Sequence, residues 1–310
     1  MTTFPSQDFL APLPGVWSAP PTPLTEQGDI DLASVRRSVD RHIALGCDGV
    51  LLAGTCGEGP WLRQSQREAL VRTSLEQAGD SLHVSVQVTD NSPGLILDQI
   101  DAVSGWGARI AVVAQPYFFM NSTPARLRDF YSEIWEHSCL PVIFYDRGQN
   151  APVPTPLEIL EEVVSHPKVA GVKDSSCDIA RTAILSKVRN QRPDFRMLTG
   201  NEFDLLPMLK AGYDGAFYGG SVISARAVRQ CIALFTAGEV AAAEKLDEEI
   251  KCVLLDIYGG PKITCWLAGL KYFLVRLGVF ESWFNIPGYP LTVECRQAID
   301  QVIEEVPWLR

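Results

Sequence analysis

The sequence predicts an α/β protein, a (β/α)8 TIM barrel with a C-terminal helical extension. Three observations lead there. Eight short apolar or β-branched runs recur between Gly15 and Gly220. Amphipathic segments with helical spacing separate most of them. After Ala227 the pattern becomes helical only. Eight strand-then-helix units in succession suggest a sheet closed on itself with helices outside. A doubly wound sheet is the alternative, but it would usually carry a glycine-rich phosphate loop after an early strand. None follows GVWSA.

The strand candidates are GVWSA (15–19), GVLLAGT (49–55), LHVSVQV (82–88), ARIAVVAQ (108–115), PVIFYD (141–146), VAGVK (169–173), FRMLTG (195–200) and DGAFYGG (214–220). Each is rich in residues that suit a buried pleated surface and is bounded by turn formers. DLASVRRSVDRHIALG (31–46) shows the helical pattern between them. Leu32, Val35, Val39, Ile43 and Leu45 fall near one face, Asp31 is a cap candidate, and Gly46 is a stop signal. Four helical segments follow Ala227, ending with TVECRQAIDQVIEEV. The expected organisation is an N-terminal arm over 1–14, the barrel over 15–227 and the helical extension over 228–310. The extension is expected to pack on the barrel and to help subunits associate.

Composition narrows the function classes. The chain has 310 residues, 46% of them apolar, enough for a sizeable core. A net charge of −10 argues against a nucleic-acid partner. No uninterrupted apolar stretch approaches the length of a membrane span, and MTTFPSQDFLAPLPG lacks the basic start of a signal peptide. A cytoplasmic protein with no membrane partner is the expectation. The eight cysteines are scattered without a CxxC pair and are expected as reduced thiols. The four histidines show no ligand spacing, so neither a metal site nor another cofactor is expected.

In a barrel of this kind the strands' C-terminal ends line the active site. The candidates are then Ser18, Thr55, Cys56, Tyr117, Tyr145, Lys173, Gly200, Asn201, Gly220 and Ser221. Lys173 stands out, because it ends the apolar run VAGV, where a charge is expensive to bury. Removing a lysine from water favours its neutral amine, which can attack a carbonyl and form a Schiff base. The plainer reading pairs Lys173 with Asp174 or with a helix end. The turn Gly54-Thr55-Cys56-Gly57-Glu58 is small enough for backbone N–H groups to approach a carboxylate, with the Thr55 hydroxyl as a further donor. An ordinary turn is its alternative, and Glu58 reads as ordering that turn. Tyr145, ending a buried strand, is suited to relaying protons, although core tyrosines are common.

Together, GTCGE, PY, the FY strand end and GVKDSS, in this order and spacing, resemble the dihydrodipicolinate synthase/N-acetylneuraminate lyase family. The resemblance runs from about Gly15 to about Gly278. It implies a (β/α)8 barrel with C-terminal helices, usually tetrameric, using a lysine Schiff base with pyruvate or another 2-keto acid. By resemblance Lys173 is the Schiff-base lysine and Tyr145 the proton shuttle. Thr55, with the backbone of Gly54 and Cys56, holds the carboxylate.

Three departures bear on substrate. The turn has Cys56 where the synthases usually carry a second hydroxyl. Phe118 stands where many members have the second of two tyrosines, which serves a proton relay across a subunit interface. Asn150 stands near the synthases' substrate-binding arginine, while Arg147 lies two residues after Tyr145. YDRGQN is similar to the YNRDN stretch of the family's 5-dehydro-4-deoxyglucarate dehydratases. The expectation is a Schiff-base lyase, aldolase or dehydratase, acting on pyruvate, a 2-keto-3-deoxy sugar acid or a similar 2-keto acid. Arg147, Gln149, Asn150, Asn201 and Ser221 are candidate substrate contacts. Its small-molecule partner would be that 2-keto acid, and the protein would be a homo-oligomer, tetramer or dimer. A true dihydrodipicolinate synthase, a catalytically silent 2-keto-acid-binding paralogue and a phosphate-binding barrel using FYGGSVIS (217–224) are the alternatives.

Overall fold

The computed structural model describes residues 15–309. The arm expected over 1–14 lies outside them. Strands and helices alternate throughout: β1 Gly15–Ser18, α1 Leu32–Ala44, β2 Gly49–Leu52, α2 Gln64–Ala78, β3 His83–Gln87, α3 Pro93–Gly105, β4 Ile110–Ala114 and α4 Pro124–His137. They continue through β5 Val142–Asp146, α5 Leu157–Ser165, β6 Val169–Asp174, α6 Ile179–Gln191, β7 Arg196–Thr199, α7 Leu205–Lys210 and β8 Gly215–Tyr218. Four further helices follow: α8 Ser221–Thr236, α9 Val240–Tyr258, α10 Trp266–Arg276 and α11 Val293–Glu305. The strands form a closed barrel in sequence order, β1 to β8.

Each strand is where the residue pattern places it. β4, β5 and β6 are buried at every position, as expected of parallel strands covered on both faces, which read as continuous apolar runs. Helix starts follow capping chemistry. Asp31, Ser92, Thr123, Asp178 and Thr292 each accept a first-turn backbone N–H through the side chain, satisfying one of the orphan donors there. Gly46, at φ 74°, ends α1 in the left-handed conformation that glycine tolerates.

The chain divides into two compact units. One contains Ser85–Phe217, hence β4 to β7 with α3 to α7. Its core includes a stack of Tyr131 on Trp135, with Phe130 and Phe144 edge-on to Tyr131. The other contains Val16–Val84 and the chain from Tyr218 onward, hence α1, α2 and the C-terminal helices. The division expected at residue 227 falls inside α8, whose buried face runs unbroken through Val222, Ala225, Ala227, Val228 and Cys231. One amphipathic helix thus serves both as the eighth barrel helix and as the support for α9.

No helix among the described residues is long and apolar enough to cross a membrane. None of the eight cysteines is joined to another.

His42 on α1 is wholly buried, its Nδ1 2.6 Å from the Ser38 carbonyl and its Nε2 2.9 Å from Ser18 Oγ. Burial lowers its pKa to about 4, against an upward pull from the Ser38 carbonyl. An unfolded histidine protonates near pH 6.5, so between about 6.5 and 4 the unfolded chain holds the extra proton. Stability is therefore lost as pH falls through that window. Urea unfolding should show wild type losing about 2–3 kcal/mol more than His42→Gln between pH 7 and pH 4. Equal losses would contradict this.

Candidate active site

β6 carries VAGVKD, buried at all positions, and Lys173 within it is only 5% exposed. β5 runs alongside in parallel, with Tyr145 opposite Lys173 and Asp146 opposite Asp174. Successive side chains alternate between sheet faces. Tyr145 and Lys173 therefore share one face, and the two aspartates share the other. Lys173 Nζ lies 4.3 Å from the Tyr145 ring centroid and 5.1 Å from that of Phe217 on β8. Aromatic faces attract a cation, but no carboxylate or hydrogen-bond acceptor among the described residues meets this amine. Room for its stem comes from Gly200, where a Cβ would sit 3.1 Å from Lys173 Cε and 2.1 Å from Ser175 Oγ.

The opposite face explains why Asp174 does not neutralise Lys173. The Asp174 carboxylate accepts the Tyr213 hydroxyl and, at 2.8 Å, the Ser176 N–H. Asp146 is clasped by Arg181 of α6 at 2.5 Å, by Gln115 Nε2 at 2.6 Å and by the Gly148 N–H at 2.9 Å. Arg181 also donates to the Thr155 carbonyl. Burial raises the Asp146 pKa, and the Arg181 guanidinium opposes that. The ends of β5 and β6 are thus tied from behind while Tyr145 and Lys173 face the other way.

The turn after β2 is equally well tied. Thr55 and Cys56 are half-buried and Gly54 is buried. Thr22 Oγ1 donates to the Gly57 carbonyl at 2.6 Å and Arg67 Nη2 to the Gly59 carbonyl at 2.7 Å. Gly59 is required by close approach, since a Cβ there would lie 1.8 Å from the Ala53 carbonyl oxygen. The Thr55 hydroxyl and N–H donate to no group of the described protein, so both remain available to an anion.

The sequence profile of the "Dihydrodipicolinate synthetase family" matches residues 12–306. The chain belongs to that family. It is accordingly an enzyme, a lyase of the pyruvate-dependent aldolase type. Among its relatives is a 4-hydroxy-tetrahydrodipicolinate synthase of Mycobacterium leprae, 28% identical over 291 residues and covering 93% of each chain. An N-acetylneuraminate lyase from Fusobacterium nucleatum shares the fold at TM-score 0.83 and 20% identity, over 96% of this chain and 100% of that one. So does a prophage protein of the dihydrodipicolinic acid synthase family from E. coli K12, solved with pyruvate, at TM-score 0.84 and 20% identity. That match covers 94% of this chain and 97% of that one.

Not every residue expected at this family site is free to act there. Arg147 is half-buried with its guanidinium unpaired among the described residues, and Asn150 is exposed on the following short 3-10 turn. Asn201 is already engaged, because its amide donates to Asp204 at 2.7 Å and Cys177 at 2.8 Å and accepts from Phe203 N. It orders the loop after β7. Ser221 opens α8 with no solvent exposure, and its hydroxyl has no hydrogen-bond partner among the described residues. Ser224, in the FYGGSVIS segment, is likewise buried and donates to the Gly220 carbonyl. Tyr117 meets Gln87 Nε2 at 3.1 Å, and Phe118 is 62% exposed. Phe217 and Arg181 carry no sequence signal of their own, yet one lines the lysine and the other anchors the strand beside it.

Removing one partner of a buried ion pair leaves the other charge stranded. Arg181→Met should therefore cost about 3–5 kcal/mol of unfolding free energy in denaturant titrations. Asp146→Asn/Arg181→Met should recover most of it. A single variant as stable as wild type would contradict the clasp.

Proposed function

We propose that the protein is a Schiff-base lyase, an aldolase or dehydratase acting on pyruvate, a 2-keto-3-deoxy sugar acid or a similar 2-keto acid. The observation that carries this is Lys173, a buried amine at a strand's C-terminal end with aromatic neighbours and no carboxylate. Among the described residues no acidic or hydrogen-bonding group pairs with it, and the family match runs through it.

The neutral amine of Lys173 adds to the substrate C2 carbonyl. The carbinolamine loses water, leaving an iminium between Nζ and C2. Thr55 and the backbone at Gly54 and Cys56 hold the substrate carboxylate, which fixes C2 for attack. The iminium accepts the electron pair released when the C3–C4 bond breaks, or when a C3 proton departs before the C4 hydroxyl is lost. Tyr145 carries the proton to and from the carbinolamine oxygen. In cleavage the C4 hydroxyl loses its proton as the aldehyde forms, and the resulting enamine is protonated at C3 to restore an iminium; hydrolysis of the iminium then returns the amine. Arg147 and Asn150 meet the far end of the substrate. No further cofactor is needed, because the iminium itself serves as the electron sink.

A second reading, 4-hydroxy-tetrahydrodipicolinate synthase, draws on the name of the M. leprae relative. Phe118 and Asn150 weigh against it, since neither offers the hydroxyl or guanidinium that those positions supply in synthases. We infer a homo-oligomer, dimer or tetramer, in the cytoplasm. The exposed Phe118, Met120 and Ile179 side chains support the association, and cysteines joined by no disulfide support a reducing compartment.

Borohydride reduction in the presence of pyruvate should place a stable adduct on Lys173, mapped by peptide mass spectrometry and absent from Lys173→Ala. Tyr145→Phe should retain the fold and slow turnover of the preferred 2-keto acid by about 10²–10⁴-fold. No adduct in wild type with pyruvate or longer 2-keto acids would overturn the reading.

A further inference from the structure

Glu58 and Lys271 form an ion pair in which both side chains are entirely buried. Glu58 belongs to the turn after β2, and Lys271 lies on α10 in the C-terminal extension. Each has a second partner on the connection between α10 and α11. Lys271 Nζ donates to the Phe284 carbonyl at 2.7 Å, and Glu58 Oε2 accepts the Ile286 N–H at 2.6 Å. Burial pushes the Lys271 pKa down and Glu58 pulls it back up.

Two features say that this pair serves geometry. Replacing a buried ion pair by apolar residues of like volume often leaves a protein as stable or more so, so such a pair is a poor way to gain stability alone. Glu58 is also held at φ 57°, in the left-handed region that a residue with a side chain adopts at a cost. With Thr22 on the Gly57 carbonyl and Arg67 on the Gly59 carbonyl, three consecutive residues of the turn are tied down. Just before them stand the unused Thr55 N–H and hydroxyl.

We propose that Glu58 and Lys271 are positioning residues for the substrate carboxylate. They lock the Gly54–Glu58 turn so that the Thr55 N–H and hydroxyl present one fixed anion-binding arrangement. The C-terminal extension is thereby a working part of the grip, through α10 and the 284–286 segment. This rests on the Schiff-base reading above and adds to it the means by which the carboxylate site is held.

The test separates carboxylate recognition from amine chemistry. Borohydride trapping at Lys173 is followed against concentration for pyruvate and for acetone, which has the ketone without the carboxylate. Two variants are used: Glu58→Gln, and the double variant Glu58→Met/Lys271→Met, which leaves no lone buried charge. In both, half-saturation by pyruvate should rise about tenfold or more, with trapping at saturation and acetone trapping unchanged. Circular dichroism checks that each is folded. Pyruvate half-saturation within about twofold of wild type, or equal weakening of pyruvate and acetone, would overturn the proposal. Failure of both variants to fold would assign the pair to folding and overturn it as well. Absence of any wild-type adduct would instead remove the Schiff-base reading on which the proposal stands.

Discussion

Lys173 is an amine removed from water and given two aromatic faces but, among the described residues, no carboxylate. Burying a charge without a counter-ion is among the costlier things a fold can do. The surrounding structure is arranged around that constraint. Two aspartates lie next to Tyr145 and Lys173 in the chain, either of which could have neutralised the amine. The pleat turns both to the other side of the sheet, where Tyr213, Arg181, Gln115 and backbone N–H groups occupy them. Lys173 thus has no carboxylate partner among the described residues, because its acidic neighbours are spoken for.

The same division runs through the rest of the site. The strand-end aspartates and the turn carbonyls are tied by charges and donors, while the Thr55 hydroxyl and the Arg147 guanidinium, proposed to meet substrate, are unpaired among the described residues. Thr55 keeps its hydroxyl and N–H unused among the described residues, while Gly57, Glu58 and Gly59 beyond it are tied by Thr22, Lys271 and Arg67. Arg147 follows the clasped Asp146 and keeps a guanidinium unpaired among the described residues. Preorganisation of this kind spares a substrate the work of ordering its own site.

Much of this was legible in the sequence, for a physical reason. Strands buried on both faces appear as uninterrupted apolar runs, so β4, β5 and β6 announce themselves, and a lysine ending such a run contradicts its surroundings. Asp31 and Gly46 mark the ends of α1 through capping chemistry that is local to the chain. What depends on contacts distant in sequence was not legible. Phe217 is one apolar residue among several on β8, and its place beside Lys173 exists only once the chain has folded. Arg181 and Lys271 resemble surface charges on amphipathic helices until their aspartate and glutamate partners are seen. The strand-end rule proposed Asn201 and Ser221 from position alone. It could not show that one amide was already spent on Asp204 and Cys177, or that one hydroxyl was sealed from solvent. The boundary expected at residue 227 lies within α8, whose buried face continues past it.

The central claim is that the unpaired amine of Lys173 becomes an iminium. Carbon-13 NMR of the protein with pyruvate labelled at C2 tests it without reductant or turnover. The account predicts a protein-bound iminium resonance, in slow exchange with free pyruvate, that vanishes in Lys173→Arg. A spectrum showing only free and hydrated pyruvate, or a bound signal that survives Lys173→Arg, would contradict it.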